Sequence, residues 1–216
     1  MLVREAMTAP RLLLTEDTRV KEAAAEFVRT GVEAAPVIGA GGTLSGIVAE
    51  VDLLRDRMEA DPRASMIPRS EPRTPLPLRV ADVMTRRVVT ATEVGDVAEL
   101  ADRMCRARVR CVPVVDEGSV VGMVCRRELL RSYARPDDRI RREVLTALSV
   151  RGPYTRGWDV RVRDGVAHLS GSNGHSASES SLVASIARTV PGVSRVVVEA
   201  SGCAPALRPV HTAAAP

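Results

Sequence analysis

The chain reads as an α/β (α+β) protein built from two pseudo-twofold β-α-β-β-α repeats and a small C-terminal α-β-β-α-β unit. Three observations predict this. Residues Val3 to Asp56 reappear in altered form as Val80 to Ser132. Each copy runs from helical periodicity into two short apolar strands. After Asp137 the pattern changes to one amphipathic helix, a hairpin, a second helix and a last strand. Two copies are too few for a solenoid, which needs about three units. They predict a pair packed face to face, with clefts at the joint, a common place for small-molecule sites.

Each copy opens with a short helical turn ending at Met7-Thr8 or Met84-Thr85. A short strand is expected next, at Leu12-Leu13-Leu14 and at Val88-Val89-Thr90. Val20, Ala24, Phe27, Val28 and Gly31 then share one helical face, as do Val97, Leu100, Ala101 and Met104. Acids and hydroxyls at Thr15-Glu16-Asp17-Thr18 suit the first helix's N-terminus. Strands follow at Ala35 to Ile38 and Leu44 to Ala49, and again at Cys111 to Val115 and Val120 to Cys125. Gly-rich or Asp-Glu-Gly turns join them as hairpins. Helices beginning near Glu50 and Arg126 close the copies. The offset is 77 residues through the Pro36 and Pro113 strands and 76 beyond them, because the first hairpin loop is one residue longer.

The resulting divisions are repeat 1 at 1–56, a linker at 57–79, repeat 2 at 80–133, a C-terminal unit at 137–200 and a tail at 201–216. Pro62, Pro68, Pro72, Pro75 and Pro77 keep the linker out of regular structure. In the C-terminal unit Ile140, Val144, Leu145 and Leu148 form one helical face. Trp158, Val160 and Val162 alternate with polar residues, Asp164-Gly165 signals a hairpin, and Ala167 and Leu169 return on the inner face. Leu182, Ile186 and Val190 mark the next helix, stopped by Pro191-Gly192. The Ala- and Pro-rich tail is expected to be disordered.

Composition narrows the function classes. Aromatics are 2% of the chain, too few for base-stacking platforms. The net charge is +4, with 30 Arg and one Lys, but no block is basic enough to demand nucleic acid. The N-terminus lacks the basic and apolar regions of an export signal. No apolar run approaches the roughly 18–20 residues of a membrane span. A cytoplasmic location is expected, and with it reduced thiols at Cys105, Cys111, Cys125 and Cys203. The competing reading is a Cys105–Cys111 bridge or metal site, for which the usual histidine complement is missing. An enzyme is not expected. His168 faces outward, and His175 lies among serines with no acid placed to orient it. Gly39-Ala40-Gly41-Gly42 precedes no helix and reads as a hairpin turn rather than a phosphate loop.

At Gly46-Ile47-Val48-Ala49-Glu50-Val51-Asp52 and Gly122-Met123-Val124-Cys125-Arg126-Arg127-Glu128 the repeats resemble the CBS domain, the regulatory module named after cystathionine β-synthase. The Met-Thr opening, the Pro-Val strand and the strand-to-helix turn match in order in both copies, about 105 residues in all. The resemblance implies a CBS pair that associates as a homodimer and binds an adenine-containing ligand between the repeats. Candidate ligands are AMP, ADP, ATP or S-adenosylmethionine, with no cofactor required. A helix start offers N–H groups to a phosphate. The resemblance places the base beside Ala35-Pro36 and Val112-Pro113. It places the phosphate at the turn from Gly46 to Glu50, which includes Ile47, Val48 and Ala49, or at Gly122, Met123 and Arg126. The ribose goes to Asp52 or Glu128. The bland reading of both acids is that they complement a helix dipole. The family's capping hydroxyl is absent, replaced by Ala49 and Cys125. Arg103, Arg106, Arg108, Arg110 and Arg127 either help Arg126 hold phosphates or form a solvated basic face.

Trp158 to Gly171 and Pro191 to Val196 resemble the BON domain, a small bacterial α/β module. That resemblance implies attachment to a membrane surface or to a protein partner. The combined expectation is a non-enzymatic sensor that passes ligand binding to an unknown protein target. The alternative is a ligand-independent dimeric scaffold.

Overall fold

The computed structural model describes residues 1–55, 57, 58, 61, 63, 76–150, 155, 157–171 and 175–199. It divides into two compact units between Ser132 and Tyr133. In the first unit the first copy comprises α1 (Val3–Ala6), β1 (Leu14–Thr15), α2 (Val20–Thr30), β2 (Ala34–Ile38), β3 (Leu44–Ala49) and α3 (Glu50–Leu54). The second comprises α4 (Val80–Val83), α5 (Val97–Ala107), β4 (Cys111–Asp116), β5 (Ser119–Cys125) and α6 (Arg126–Tyr133). The mixed α/β class and the paired repeats are as the sequence predicts.

Each copy lends its opening turn to the other. Val3 of α1 is buried in the second copy's core with Leu100, Met104, Val112, Val114 and Val124. Val80 of α4 is buried in the first copy's core with Val20, Phe27, Val37 and Val48. Backbone bonds repeat the exchange. Val3 N–H donates to Gly95, Arg4 to Glu93, and Val97 to Met1. Val80 donates to Thr18, Ala81 to Glu16, and Val20 to Leu78. Thr8 and Met123 exchange two backbone bonds at 3.0 and 2.8 Å, and Ile47 and Thr85 do the same. A Cβ at Gly122 would lie 2.7 Å from the Met7 Sδ, and one at Gly46 would lie 2.6 Å from the Met84 Sδ. A side chain at either place would displace the methionine that crosses the strand.

The first copy carries a three-stranded sheet, with β1 parallel to β2 and β2 antiparallel to β3. The second carries β4 antiparallel to β5. The strand expected at Val88-Val89-Thr90 is reduced to a single parallel bridge between Ala91 and Val114. Its counterpart lies at Leu14–Thr15 rather than at Leu12 to Leu14. Thr15 to Thr18 form a turn, with the Thr15 N–H donating to the Thr18 hydroxyl at 3.1 Å, and α2 starts only at Val20. Its buried face is Val20, Ala23 and Phe27, while Val28, one position round from Phe27, is 87% exposed. Gly31 ends α2 with φ 60°, and its counterpart Arg108 ends α5 with φ 55°. The fold imposes a left-handed cap even where the sequence supplies no glycine.

Residues 76–79, expected in the linker, belong to the exchanged segment, since Leu78 accepts from Val20 and Arg79 bridges Arg19. The prolines at 62, 68, 72 and 75 and the tail lie outside the described residues. Reduced thiols are corrected at one pair: Cys111 and Cys125 face each other across β4 and β5 and form a disulfide. Cys105, the other half of the bridge or metal site weighed above, is free and exposed.

In the second unit α7 (Asp137–Val150), β6 (Trp158–Arg163), β7 (Val166–Gly171), α8 (Ala177–Arg188) and β8 (Arg195–Glu199) follow in the expected order. β6 pairs antiparallel with β7, and β7 parallel with β8. The core holds Ile140, Val144, Leu148, Trp158, Val160, Leu169, Val183 and Ile186. Leu182, expected inside, is 44% exposed, and Val183 takes its place. The Asp137 carboxylate accepts from Asp164 and Gly165 N–H at 2.7 and 3.0 Å, pinning the hairpin turn to the start of α7. The Arg135 guanidinium, helped by Arg139, holds the Glu143 carboxyl below its ordinary value.

Two outcomes follow from this packing. Val3→Ala should cost about 2 kcal/mol, as core truncations do. Hydrogen exchange should locate that loss more in β4 and β5 than in the first copy's own β2 and β3; the reverse distribution would contradict the exchange. In the second unit, a carboxyl depressed in the folded state adds stability above its unfolded value of about 4.3 and loses it as pH falls through the folded value. Glu143 is partly exposed, so the gain is within about 1 kcal/mol. Wild type should therefore melt slightly above Glu143→Gln at pH 7, with the gap closing below about pH 4.

Candidate functional site

Two clefts are related by the repeat. Both lie in the first unit, and each joins one copy's strand-to-helix turn to the other copy's Met-Thr segment. The first is lined by Asp52, Arg55, Pro77, Asp82, Val83, Met84 and Thr85. The second includes Glu128, Arg127, Cys125 and Met123 on one wall and Thr8, Arg11, Glu33 and Ala34 on the other. Their volumes differ, about 370 Å³ at Asp52 and about 70 Å³ at Glu128. Small-molecule sites run to about 300 Å³ and above, a range that the Asp52 cleft reaches.

The two acids hold equivalent positions. Asp52 Oδ2 accepts the Ala49 N–H at 2.9 Å, and Oδ1 lies 3.7 Å from the Arg55 guanidinium. Glu128 Oε2 accepts the Cys125 N–H at 3.2 Å, and Oε1 lies 3.4 Å from Arg131. Each acid thus reaches back to the residue before its helix and pairs with an arginine one turn on. This supplies one half of a capping box without the hydroxyl that makes the other half. Ala49 and Cys125 leave that hydroxyl role unfilled, and the acid makes the reciprocal bond to the cap residue's own N–H. The dipole reading of Asp52 and Glu128 therefore has direct geometric support. Both carboxylates still line their clefts, with side chains 13% and 16% exposed.

The remaining sequence candidates separate into wall and core. Ala35, Val48 and Val112 are fully buried in the cores. Pro36 and Pro113 sit mid-strand opposite Ile47 and Met123. Gly46 and Gly122 are covered by Met84 and Met7. At the first turn the Ile47, Ala49 and Glu50 N–H groups already donate to Thr85, Asp52 and Glu33. A phosphate at that turn would compete with bonds that hold the exchange. Arg126, the first residue of α6, donates its Nε–H to the Val109 carbonyl at 3.0 Å and lines neither cleft. The cleft arginines are Arg55, Arg11 and Arg127. Sequence reading passed over Thr8, Arg11, Asp82 and Thr85 as site residues. The repeated Met-Thr pair was the available signal, because a motif kept in both copies outside the strands needs a role.

In the second unit an acid does stand beside His175. Its Nδ1 lies 3.6 Å from the Glu179 carboxylate, and its ring stacks on Trp158 at 4.6 Å. His168 Nδ1 lies 3.2 Å from Glu199. Backbone and hydroxyl bonds from Ser176 hold the Glu179 carboxyl below its ordinary value. No group of three or more metal-ligating side chains occurs among the described residues. None of their helices is long and apolar enough to cross a membrane.

Comparison with known proteins matches both copies to one family. The family model of the CBS domain matches residues 3–59 and 80–135, just over half of the chain. The uncharacterized protein MJ1426 of Methanocaldococcus jannaschii is 27% identical over 153 residues, covering 61% of this chain and 90% of that protein. The A-adding tRNA nucleotidyltransferase of Aquifex aeolicus is 30% identical over 130 residues, but this chain spans only 14% of its length. Among solved structures, CBSX2 in complex with AMP superposes with a TM-score of 0.50 at 26% identity, covering 61% of this chain and 94% of that one.

If the acids' structural role is as described, Asp52→Ala and Glu128→Ala should each lower stability by about 0.3–1 kcal/mol without any ligand present. Urea unfolding checks this, and a cost confined to one of the two variants would break the equivalence.

Proposed function

The chain belongs to the CBS domain family, and from that premise we propose that it is a non-enzymatic regulatory protein that binds an adenine nucleotide in the Asp52 cleft and passes the event to a protein partner. The observation that carries this reading is the cleft itself, about 370 Å³ in volume and walled by both copies. A ligand there touches the Asp52 turn of the first copy and the Met84-Thr85 segment of the second. Its binding energy would then bias the packing of the pair, which is how differential affinity shifts a conformational equilibrium. CBSX2, solved with AMP, is the relative whose ligand fits this size and chemistry.

In this reading Asp52 accepts from the ribose hydroxyls, Arg55 turns from Asp52 to the phosphate, and the base lies against Met84 and Pro77. The committed N–H groups of Ile47, Ala49 and Glu50 leave phosphate binding to the arginine side chain. Val51 and Leu54 of α3 and Leu130 of α6 are 65%, 57% and 64% exposed, apolar side chains that a homodimer built from the closing helices would cover. The C-terminal unit, read as BON-like, would carry the contact to a partner or a membrane surface. A cytoplasmic location belongs to the same proposal.

A second reading has its own observation. With the turn's N–H groups already paired, the pair could work as a dimeric scaffold with no ligand. Titration of AMP, ADP, ATP and S-adenosylmethionine into the full chain separates the two. Ligand that binds only the folded state adds about 2.7 kcal/mol at a hundredfold excess over Kd. A rise in Tm with one ligand, lost in Asp52→Ala and kept in Glu128→Ala, is expected. No rise with any of them at millimolar concentration would leave the scaffold. Light scattering on the same samples reads the dimer, and flotation with anionic vesicles at low salt reads the membrane contact.

A further inference from the structure

The second copy carries a chemical pair that the first lacks. Across β2 and β3 the register sets Ala34 opposite Ala49; across β4 and β5 it sets Cys111 opposite Cys125. The backbone there favours close side chains. The Arg126 N–H donates to the Arg110 carbonyl at 2.9 Å, while the Cys125 N–H turns to the Glu128 carboxylate. Cys111 and Cys125 therefore form a non-hydrogen-bonded pair, the kind in which facing side chains come nearest. Their sulfurs are bonded.

The position of the bond matters more than its presence. Cys111 is 5% exposed, whereas Cys125 is half-buried and forms part of the wall of the Glu128 cleft. Cys125 is also the residue before α6, and its N–H holds the Glu128 carboxylate. One residue thus joins the disulfide, the helix start and the cleft wall.

We propose that Cys111 and Cys125 are a reversible thiol–disulfide site, reached by low-molecular-weight disulfides from solvent at half-buried Cys125, whose state sets how tightly the Cys125 to Glu128 turn is held. The two clefts then differ in chemistry as well as in size, and the smaller one responds to redox state. This goes beyond the nucleotide reading and does not depend on it.

The exchange balances. In the reduced protein the Cys125 thiolate attacks one sulfur of a disulfide RSSR; a mixed disulfide forms and one RS⁻ leaves. Cys111 gives its proton to solvent, and its thiolate attacks the Cys125 sulfur. The protein S–S bond forms, the second RS⁻ leaves, and each RS⁻ takes up a proton. Two protein thiols are oxidised and one RSSR is reduced to two RSH. Excess RSH reverses both steps. Attack needs an accessible thiolate, so Cys125 is the entry point and buried Cys111 the resolving residue.

The test uses the full chain in graded mixtures of reduced and oxidised glutathione, with alkylation, peptide mapping and hydrogen exchange. The Cys111–Cys125 peptide should rise with the oxidised fraction and disappear in excess reduced glutathione. Oxidation should slow exchange at the Arg126 to Glu128 amides by about fivefold or more, the lower end of a measurable coupling between sites. Cys111→Ala/Cys125→Ala, which copies the Ala34 and Ala49 pair of the first repeat, should fold and exchange at one rate in both buffers. Persistent thiols in oxidised glutathione would overturn the proposal, as would a bond that maps to Cys105. So would equal exchange of the turn in the two states.

Discussion

Neither repeat can fill its own core, and everything else in the first unit follows from that. The opening turn of each copy is a four-residue helix, far too short to stand alone in water. It persists because one valine from it is buried in the other copy, Val3 in the second and Val80 in the first. The exchange is held by backbone bonds on both sides of each turn and by a methionine laid across a glycine. A side chain at 46 or 122 would meet the sulfur of the opposing methionine and displace it.

The clefts are by-products of the same exchange. Once Thr8 pairs with Met123 and Thr85 with Ile47, each strand-to-helix turn has a wall from the other copy beside it. A ligand in such a cleft would touch the joint between copies, not a surface of one. In a pair of this kind the cleft and the joint between the copies are the same place. The two clefts have diverged within this frame. The Asp52 cleft is roomy and carries two carboxylates, Asp52 and Asp82. The Glu128 cleft is tight, mixes arginines with glutamates, and has a disulfide sulfur behind its wall.

The acids at Asp52 and Glu128 show how far local chemistry constrains function. Each is the third residue of its helix, and each spends one oxygen on the N–H of the residue before the helix. Loss of the hydroxyl at that position, by Ala49 and Cys125, weakens the cap on one side while the acid keeps it on the other. A structural duty and a ligand duty can coexist in one carboxylate, because it has two oxygens and about four acceptor sites.

The repeat, the order of elements, the hairpins and the placement of Asp52 and Glu128 at helix starts were all legible in the amino-acid sequence, because each depends on residues a few positions apart. Periodicity also found Val20, Phe27, Leu100, Met104, Ile140 and Val144 as core residues. It misplaced Val28 and Leu182, since the buried face of each helix lies to one side of the apolar stripe, on Ala23 and Phe27 in one and on Val183 and Ile186 in the other. The Cys111–Cys125 pairing left a signal in their near-equal distance from the Glu117-Gly118 turn, outweighed by the expectation of reduced thiols. What only the tertiary structure decided was which copy's core receives Val3 and Val80, which arginines line a cleft, and how much space each cleft keeps. Aligned repeats state that two segments are equivalent. They do not state where either one packs, because swapped and unswapped pairings satisfy the same local pattern and differ only in contacts between residues far apart in the chain, such as Val80 with Thr18 and Val3 with Gly95.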